Sequence, residues 1–96
     1  MNFEWDEEKN KENIRKHGLD FADAWEIFDA PMLTAPDTGE DYGEDRWVGI
    51  GLLKNFVVVV VFTESDQDIR FISLRKALKH ERSRFEEALR DGLGTH

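Results

Sequence analysis

The longest unbroken apolar run is residues 56–62, a phenylalanine, five valines and a phenylalanine, framed by Lys54 and Asn55 before it and by Thr63, Glu64, Ser65 and Asp66 after it. Seven residues are far too few to cross a membrane, and the lack of polar alternation predicts a central strand covered on both faces. Residues 46–53 do alternate. Val48, Ile50 and Leu52 stand against Trp47, Gly49, Gly51 and Leu53, so one face has two positions without side chains. A packed helix, a strand bulge or a ligand backbone must come close there. Lys54 and Asn55 form a two-residue turn, and residues 65–68 form the next turn before a last strand at 69–75. With a strand at 32–35, ended by Pro36, this predicts a mainly antiparallel meander of about four strands. Residues 3–5 suit a short edge strand.

Helical spacing appears three times. Asp6 is placed to cap a helix with Glu7 and Glu8 in its first turn, and Gly18 to close it in the left-handed conformation after His17. Ile14 is the only strong hydrophobe in that segment, so ordinary core packing does not account for it. Lys9, Asn13 and Lys16 recur at helical spacing, with His17 adjoining, and lay polar groups along one side. A second helix, capped by Asp20 and ended at Ala30 and Pro31, carries Phe21, Ala24, Trp25 and Phe28 as an apolar stripe. Leu19 is placed to staple onto Ala24, and Asp23 stands as a near capping box. A C-terminal helix carries Leu78, Phe85 and Leu89, with Arg82 between them in need of a partner, and stops at Gly92. The expected fold is α+β: two N-terminal helices, an antiparallel sheet and a C-terminal helix. Its expected core is Val57, Val59, Val61, Trp25, Phe28, Phe85 and Leu89.

Composition narrows the function. The 96 residues, 40% of them hydrophobic, suit one compact domain spanning 1–96. With no cysteine, disulfides and thiolate zinc sites are excluded. Residues 1–6 lack a basic head and an apolar segment, so no signal peptide is expected and a cytoplasmic setting is. The acidic stretch 37–45 holds five carboxylates but fails the ligand spacing of a calcium loop. His17, His80 and His96 are scattered, so neither a metal nor a cofactor is expected. The net charge of −8 argues against a surface built wholesale for phosphate, yet it is uneven. Residues 1–69 carry 6 basic and 17 acidic side chains, and residues 70–96 carry 7 and 4. Charge alone suits a solvated helix with paired charges at the C-terminal end.

Trp5, Asp6, Lys9, Asn13, Lys16, His17, Gly18, Phe21 and Ala24, followed at the other end by Arg70, Ile72, Ser73, Arg75, Ala77, Glu81, Arg82 and Phe85, resemble the two signatures of the BrnT family of toxins. Leu74 stands where the family usually has alanine, and Phe85 where it commonly has tyrosine. The resemblance implies a type II toxin–antitoxin toxin with a RelE-like fold. It also implies ribonuclease activity that halts translation, and neutralisation by a BrnA-type antitoxin that carries its own DNA-binding domain. DNA would then be met only through the antitoxin, and either a homodimer or a heterotetramer with the antitoxin would fit.

A metal-free ribonuclease must drive a ribose 2′-hydroxyl onto the adjacent phosphate and stabilise the charge that develops. Arginine forks suit the second task, which nominates Arg70, Arg75 and Arg46 as phosphate clamps. His17 is the nominee for proton transfer by intrinsic pKa, although a histidine at a helix end more often serves a structural hydrogen bond. Lys9, Lys16, Lys79 and Arg82 are candidate RNA contacts. If Ile72 and Leu74 face the helices, strand alternation turns Phe71, Ser73 and Arg75 outward and leaves Phe71 to stack on a base. The acidic balance admits a second class of function. A catalytically weak, toxin-like module would act mainly as antitoxin partner and co-regulator of transcription, its acidic surface receiving a basic segment.

Overall fold

The computed structural model describes residues 1–38 and 44–92. Its elements in chain order are β1 (Asn2–Trp5), α1 (Glu7–His17), a 3-10 turn (Phe21–Asp23), α2 (Trp25–Phe28), β2 (Leu33–Pro36), β3 (Arg46–Leu53), β4 (Phe56–Glu64), β5 (Asp68–Lys76) and α3 (Lys79–Arg90). The strands form one sheet in the order β1-β5-β4-β3-β2. The meander β2 to β5 is antiparallel, as expected, but β1 adds a fifth strand that runs parallel to β5. Most of the acidic stretch, residues 39–43, lies outside the described residues.

The apolar run is the central strand, and both of its faces are covered. Val58, Val60 and Phe62 pack with Leu19, Phe21, Ala24 and Ile27, whereas Val59 packs with Ile50 and Phe85 of α3. Because consecutive strand residues point to opposite faces, the 3-10 turn with α2 lies on one side of the sheet and α3 on the other. The expected core shifts accordingly. Val58 and Val60 are the deepest valines, while Val57 and Val61 are only half-buried because one short helix covers only part of their face. Phe85 is fully buried, Phe28 is half-buried, and Leu89 is 37% exposed.

The second N-terminal helix is a 3-10 turn followed by a single α-turn. Its buried residues are Phe21, Ala24 and Ile27, three apart, which is the 3-10 period and not the α period. The tighter winding brings Ile27 onto the sheet and rotates Trp25 out, leaving it 46% exposed. Leu19 and Ala24 are both in the core, but Asp20 caps through Ala22 N–H with no capping box. The bare face of β3 receives this helical pair. A Cβ added to Gly51 would stand 2.7 Å from Ile27 Cγ2, and one on Gly49 would stand 2.7 Å from Met32 Sδ. Of the expected occupants it is the packed helix that sits there, joined by Met32. Pro36 does not break β2 before joining it: it is the strand's last residue, paired with Trp47 on an edge strand, a place where a missing N–H is tolerated.

α1 is bounded as its caps require. Asp6 Oδ1 accepts from Glu8 N at 2.8 Å, and Gly18, at φ 68°, donates its N–H to Ile14 O at 2.8 Å. Its one strong hydrophobe, Ile14, is exposed, and its buried residues are Asn10 and Asn13. Asn13 Oδ1 accepts from Leu74 N of β5 at 3.1 Å, and its Nδ2 donates to Leu19 O at 3.0 Å. Asn10 Oδ1 accepts from Phe21 N and its Nδ2 donates to Asp20 Oδ1, both at 2.9 Å. β1 pairs with β5 only as far as Phe71, so Leu74 N–H on the open edge would be orphaned without Asn13.

Replacing Asn13 with leucine, which has the same number of side-chain heavy atoms but no polar group, is expected to cost about 2–4 kcal/mol by leaving two buried backbone groups unpaired. Ile14→Ala at its exposed site is expected to cost under about 1 kcal/mol. Urea denaturation of both variants measures this, and an Asn13→Leu loss no larger than that of Ile14→Ala would show that apolar packing docks α1.

Candidate functional site

The pairing register gathers the three nominated arginines on one face. Arg46 of β3 pairs with Thr63 of β4, Thr63 with Arg70 of β5, and Arg70 with Glu4 of β1. Directly paired residues point the same way, so these four form a row across the sheet. Arg75 pairs with Val59, which faces α3, and β4 alternates regularly from Val59 to Thr63, so Arg75 shares that face. α3 covers Ile50 and Val59 through Phe85 and leaves the Arg46–Thr63–Arg70 row beyond it.

Each arginine faces a carboxylate. Arg75 Nη1 and Nη2 donate to Glu81 Oε1 and Oε2, both at 2.8 Å, and Nη1 also donates to Lys76 O at 3.3 Å. Arg46 Nε lies 3.5 Å from Glu44 Oε1, and Arg70 Nη1 lies 4.0 Å from Glu4 Oε1. The first pair is a fixed, two-pronged contact; the other two are longer, the Arg70–Glu4 pair near solvent and the Arg46–Glu44 pair with its Nε buried. Glu81 also accepts from Leu78 N at 2.8 Å, reaching back over the start of α3. The bonds from Arg75 come first in holding the Glu81 carboxyl down, to about 2, against the opposing effect of its burial. The same pairing raises Arg75.

The α1 cations lie along the same strand. Lys9, Lys16 and His17, all exposed, line an open groove of about 400 Å³ together with Glu8, Glu12, Asn13, Ile72 and Ser73. Ser73 lies on the arginine face, two residues from Arg75, so β5 is the wall common to the groove and the arginines. Lys79 and Arg82 are exposed on the first turn of α3. Arg82 does not sit in a buried stripe, because Leu78 and Leu89 are themselves exposed. The arginine that the C-terminal helix does hold is Arg75, through Glu81.

Phe71 is misplaced by simple alternation. Val61 pairs with Ser73 and Phe62 with Phe71, so Ile72 is an extra residue in a bulge, and the phase of β5 reverses there. Phe71 and Leu74 consequently share the core face. Phe71 is buried among Phe3, Trp5, Phe21 and Phe28, with ring centroids 5.5–6.3 Å away, so it cannot stack on a base. Among the described residues no three His, Cys, Asp or Glu side chains converge as metal ligands, and no helix is long and apolar enough to cross a membrane.

The linkage between Glu81 and pH is directional. A carboxyl held at about 2 in the folded chain against an ordinary 4.5 adds stability that is fully present above about pH 4.5 and is lost as the pH falls toward 2. Denaturant midpoints between pH 5 and pH 2.5 should therefore fall more steeply for the native sequence than for Glu81→Gln. Parallel curves would show that the pair contributes nothing to folding.

Residues 5–81 match the profile of a family described as ribonuclease toxin, BrnT, of type II toxin–antitoxin system. The chain is also similar to the ribonuclease toxin BrnT of Brucella abortus, known from a 1.1 Å crystal structure. The identity is 33%, the match covers 82% of this chain and 99% of that one, and the TM-score is 0.68. Among curated proteins none matches the chain.

Proposed function

The chain belongs to the BrnT family of ribonuclease toxins of type II toxin–antitoxin systems, and from that premise we propose that it is an endoribonuclease cleaving RNA without a metal ion. In this reading residues 1–96 are a single RelE-like toxin domain acting in the cytoplasm. Cleavage halts translation until a BrnA-type antitoxin binds, and DNA is met only through that antitoxin. The toxin forms a homodimer or a heterotetramer with its antitoxin. The observation that carries the reading is the convergence of Arg46, Arg70 and Arg75 on one open sheet face whose strand β5 also borders the Lys9, Lys16 and His17 groove.

In the reaction the ribose 2′-oxygen attacks the adjacent phosphorus. A P–O2′ bond forms, the P–O5′ bond breaks, and a cyclic phosphate and a free 5′-hydroxyl remain. His17 is the group suited to take the 2′-hydroxyl proton, with Lys9 and Lys16 as neighbouring cations, and a protonated neighbour or water supplies the proton to the leaving 5′-oxygen. Arg70, Arg75 and Arg46 stabilise the extra negative charge on the phosphorane, which arginine can do while charged at every relevant pH. Lys79 and Arg82 at the start of α3 are placed to meet flanking phosphates. Phe71 has no part in this scheme, being buried.

One observation favours the second reading, in which the chain is a weak nuclease acting mainly as antitoxin partner and transcriptional co-regulator: all three arginines already face carboxylates. Substitution separates the two. Arg75→Ala is expected to lower kcat/KM for RNA cleavage by about 100-fold, to relieve growth arrest, and to leave the circular dichroism spectrum unchanged. Equal cleavage by both proteins would remove Arg75 from the site, and no cleavage by either would favour the second reading.

Antitoxin binding is expected to survive Arg75→Ala within a few-fold, because a protein partner covers a wide surface with apolar anchors. Calorimetric titration with the antitoxin checks it. A loss of binding as large as the loss of cleavage would mean that the antitoxin directly occludes the arginine face.

A further inference from the structure

Arg75 has five N–H donors, and the structure accounts for three. Nη1 spends both of its hydrogens, on Glu81 Oε1 and Lys76 O, and Nη2 spends one on Glu81 Oε2. Nε–H and the second Nη2–H have no partner among the described residues. These two lie on one edge of the planar guanidinium and run parallel, forming the second of its two forks and matching the oxygen pair of a phosphodiester. The Arg75 side chain is 37% exposed, so the guanidinium is not sealed from solvent.

Resting on the ribonuclease reading above, we propose that Glu81 is a positioning residue that locks one fork of Arg75 and thereby presents the other, Nε–H with Nη2–H, to a single phosphodiester of the RNA. The chain of support is continuous. Phe85 anchors α3 on Ile50 and Val59, the first turn of α3 carries Glu81, and the Leu78 N–H bond fixes the Glu81 carboxylate. Glu81 then holds Arg75 by two bonds, so the guanidinium cannot turn about its own axis without breaking both. Arg70 differs. Its carboxylate partner Glu4 stands 4.0 Å away and its side chain is exposed, so it can swing onto a phosphate, whereas Arg75 must meet it where it is held. Fixing a donor before the substrate arrives avoids reorganisation when charge develops, so the effect belongs on kcat more than on KM. The carboxylate stays ionised well below neutral pH, which keeps the lock closed under any condition where RNA is cleaved.

Glu81→Gln tests this, because glutamine can still accept from Leu78 N–H as the third residue of a helix but cannot offer two charged acceptors to Arg75. The expected result is a fall in kcat of about tenfold with KM changed less than threefold, and no further fall when Glu81→Gln is placed in an Arg75→Ala background. A residue with a purely structural role would lower activity by the same factor in both backgrounds, and that result, or an undiminished kcat in Glu81→Gln, would overturn the proposal. A second measurement stands apart from turnover. The Arg75 Nε–H resonance of the native protein should move on titration with an uncleavable 2′-deoxy dinucleotide, and the same titration of Glu81→Gln should move it less. An Arg75 resonance that stays still in the native protein overturns the fork assignment even if Glu81→Gln fails to fold. A native protein that binds the dinucleotide through Arg75 but cleaves no RNA would instead refute the nuclease reading and leave the fork in place.

Discussion

The carboxamide of Asn13 ties α1, whose buried residues are both asparagines, to strand β5 and to the chain at Leu19. It accepts the Leu74 N–H that β5 leaves open beyond its pairing with β1, and it donates to Leu19 O where the chain leaves α1. A helix of eleven residues whose only strong hydrophobe is exposed would otherwise have little to hold it in water. Asn10 repeats the device one turn earlier, fixing Phe21 N–H and the Asp20 cap and so the start of the 3-10 turn that carries Phe21 into the core. Polar bonds of this kind are directional, so they set the rotation of α1 as well as its attachment. With Asn10 and Asn13 turned inward, Lys9, Lys16 and His17 fall along the groove beside Ile72 and Ser73. The placement of the α1 cations therefore follows from two amides.

Electrostatics and net charge meet at the arginine face. A chain of charge −8 repels RNA at long range, yet screening at physiological salt confines that repulsion to about 8 Å. Within that distance the local arrangement decides. The carboxylates beside Arg46 and Arg70 lower the local positive potential, and because the Arg70–Glu4 pair is long and near solvent, an entering phosphate can displace it at small cost. Glu81 differs in kind, since its pairing with Arg75 leaves the Nε–Nη2 edge of the guanidinium without a partner among the described residues. The acidic balance is thus compatible with a cleft that is selective for a partner able to engage several arginines together, and weak toward isolated anions.

The elements that were legible in the sequence are those decided by local rules. The caps of α1 at Asp6 and Gly18, the central position of residues 56–62, the turn at Lys54 and Asn55, and the bare face at Gly49 and Gly51 all follow from short-range sterics and hydrogen bonding. Two of the misreadings share one cause, a change of period inside an element. The bulge at Ile72 reverses the phase of β5, which buried Phe71 while leaving Arg75 where alternation from Ser73 puts it. The 3-10 turn changes a spacing of 3.6 to one of 3, which took Trp25 out of the core and brought Ile27 in. Neither change has a local signal as strong as a glycine or proline. The Arg75–Glu81 pair was half legible: six residues separate them across a strand end and a helix start, and Glu81 stands at the third helical position, where a carboxylate reaches back.

The open arginine face is itself a consequence of how little helix the chain supplies. α3 has twelve residues and spans about 18 Å, whereas five strands about 4.8 Å apart present a sheet nearly 20 Å wide and longer in the strand direction. One helix anchored by a single buried phenylalanine covers the middle of such a face and no more. The neighbours left at its margin must tolerate water, and they do so by being half-buried valines, Val48 and Val61, or polar, Thr63, Arg46 and Arg70. Removing the arginines from water under a second helix would require each to find full hydrogen bonding at a desolvation cost of several kcal/mol. Leaving the face open avoids that cost and exposes ready-made cation donors on a rigid sheet. The same economy that limits the core therefore creates the surface on which the chemistry is proposed to occur.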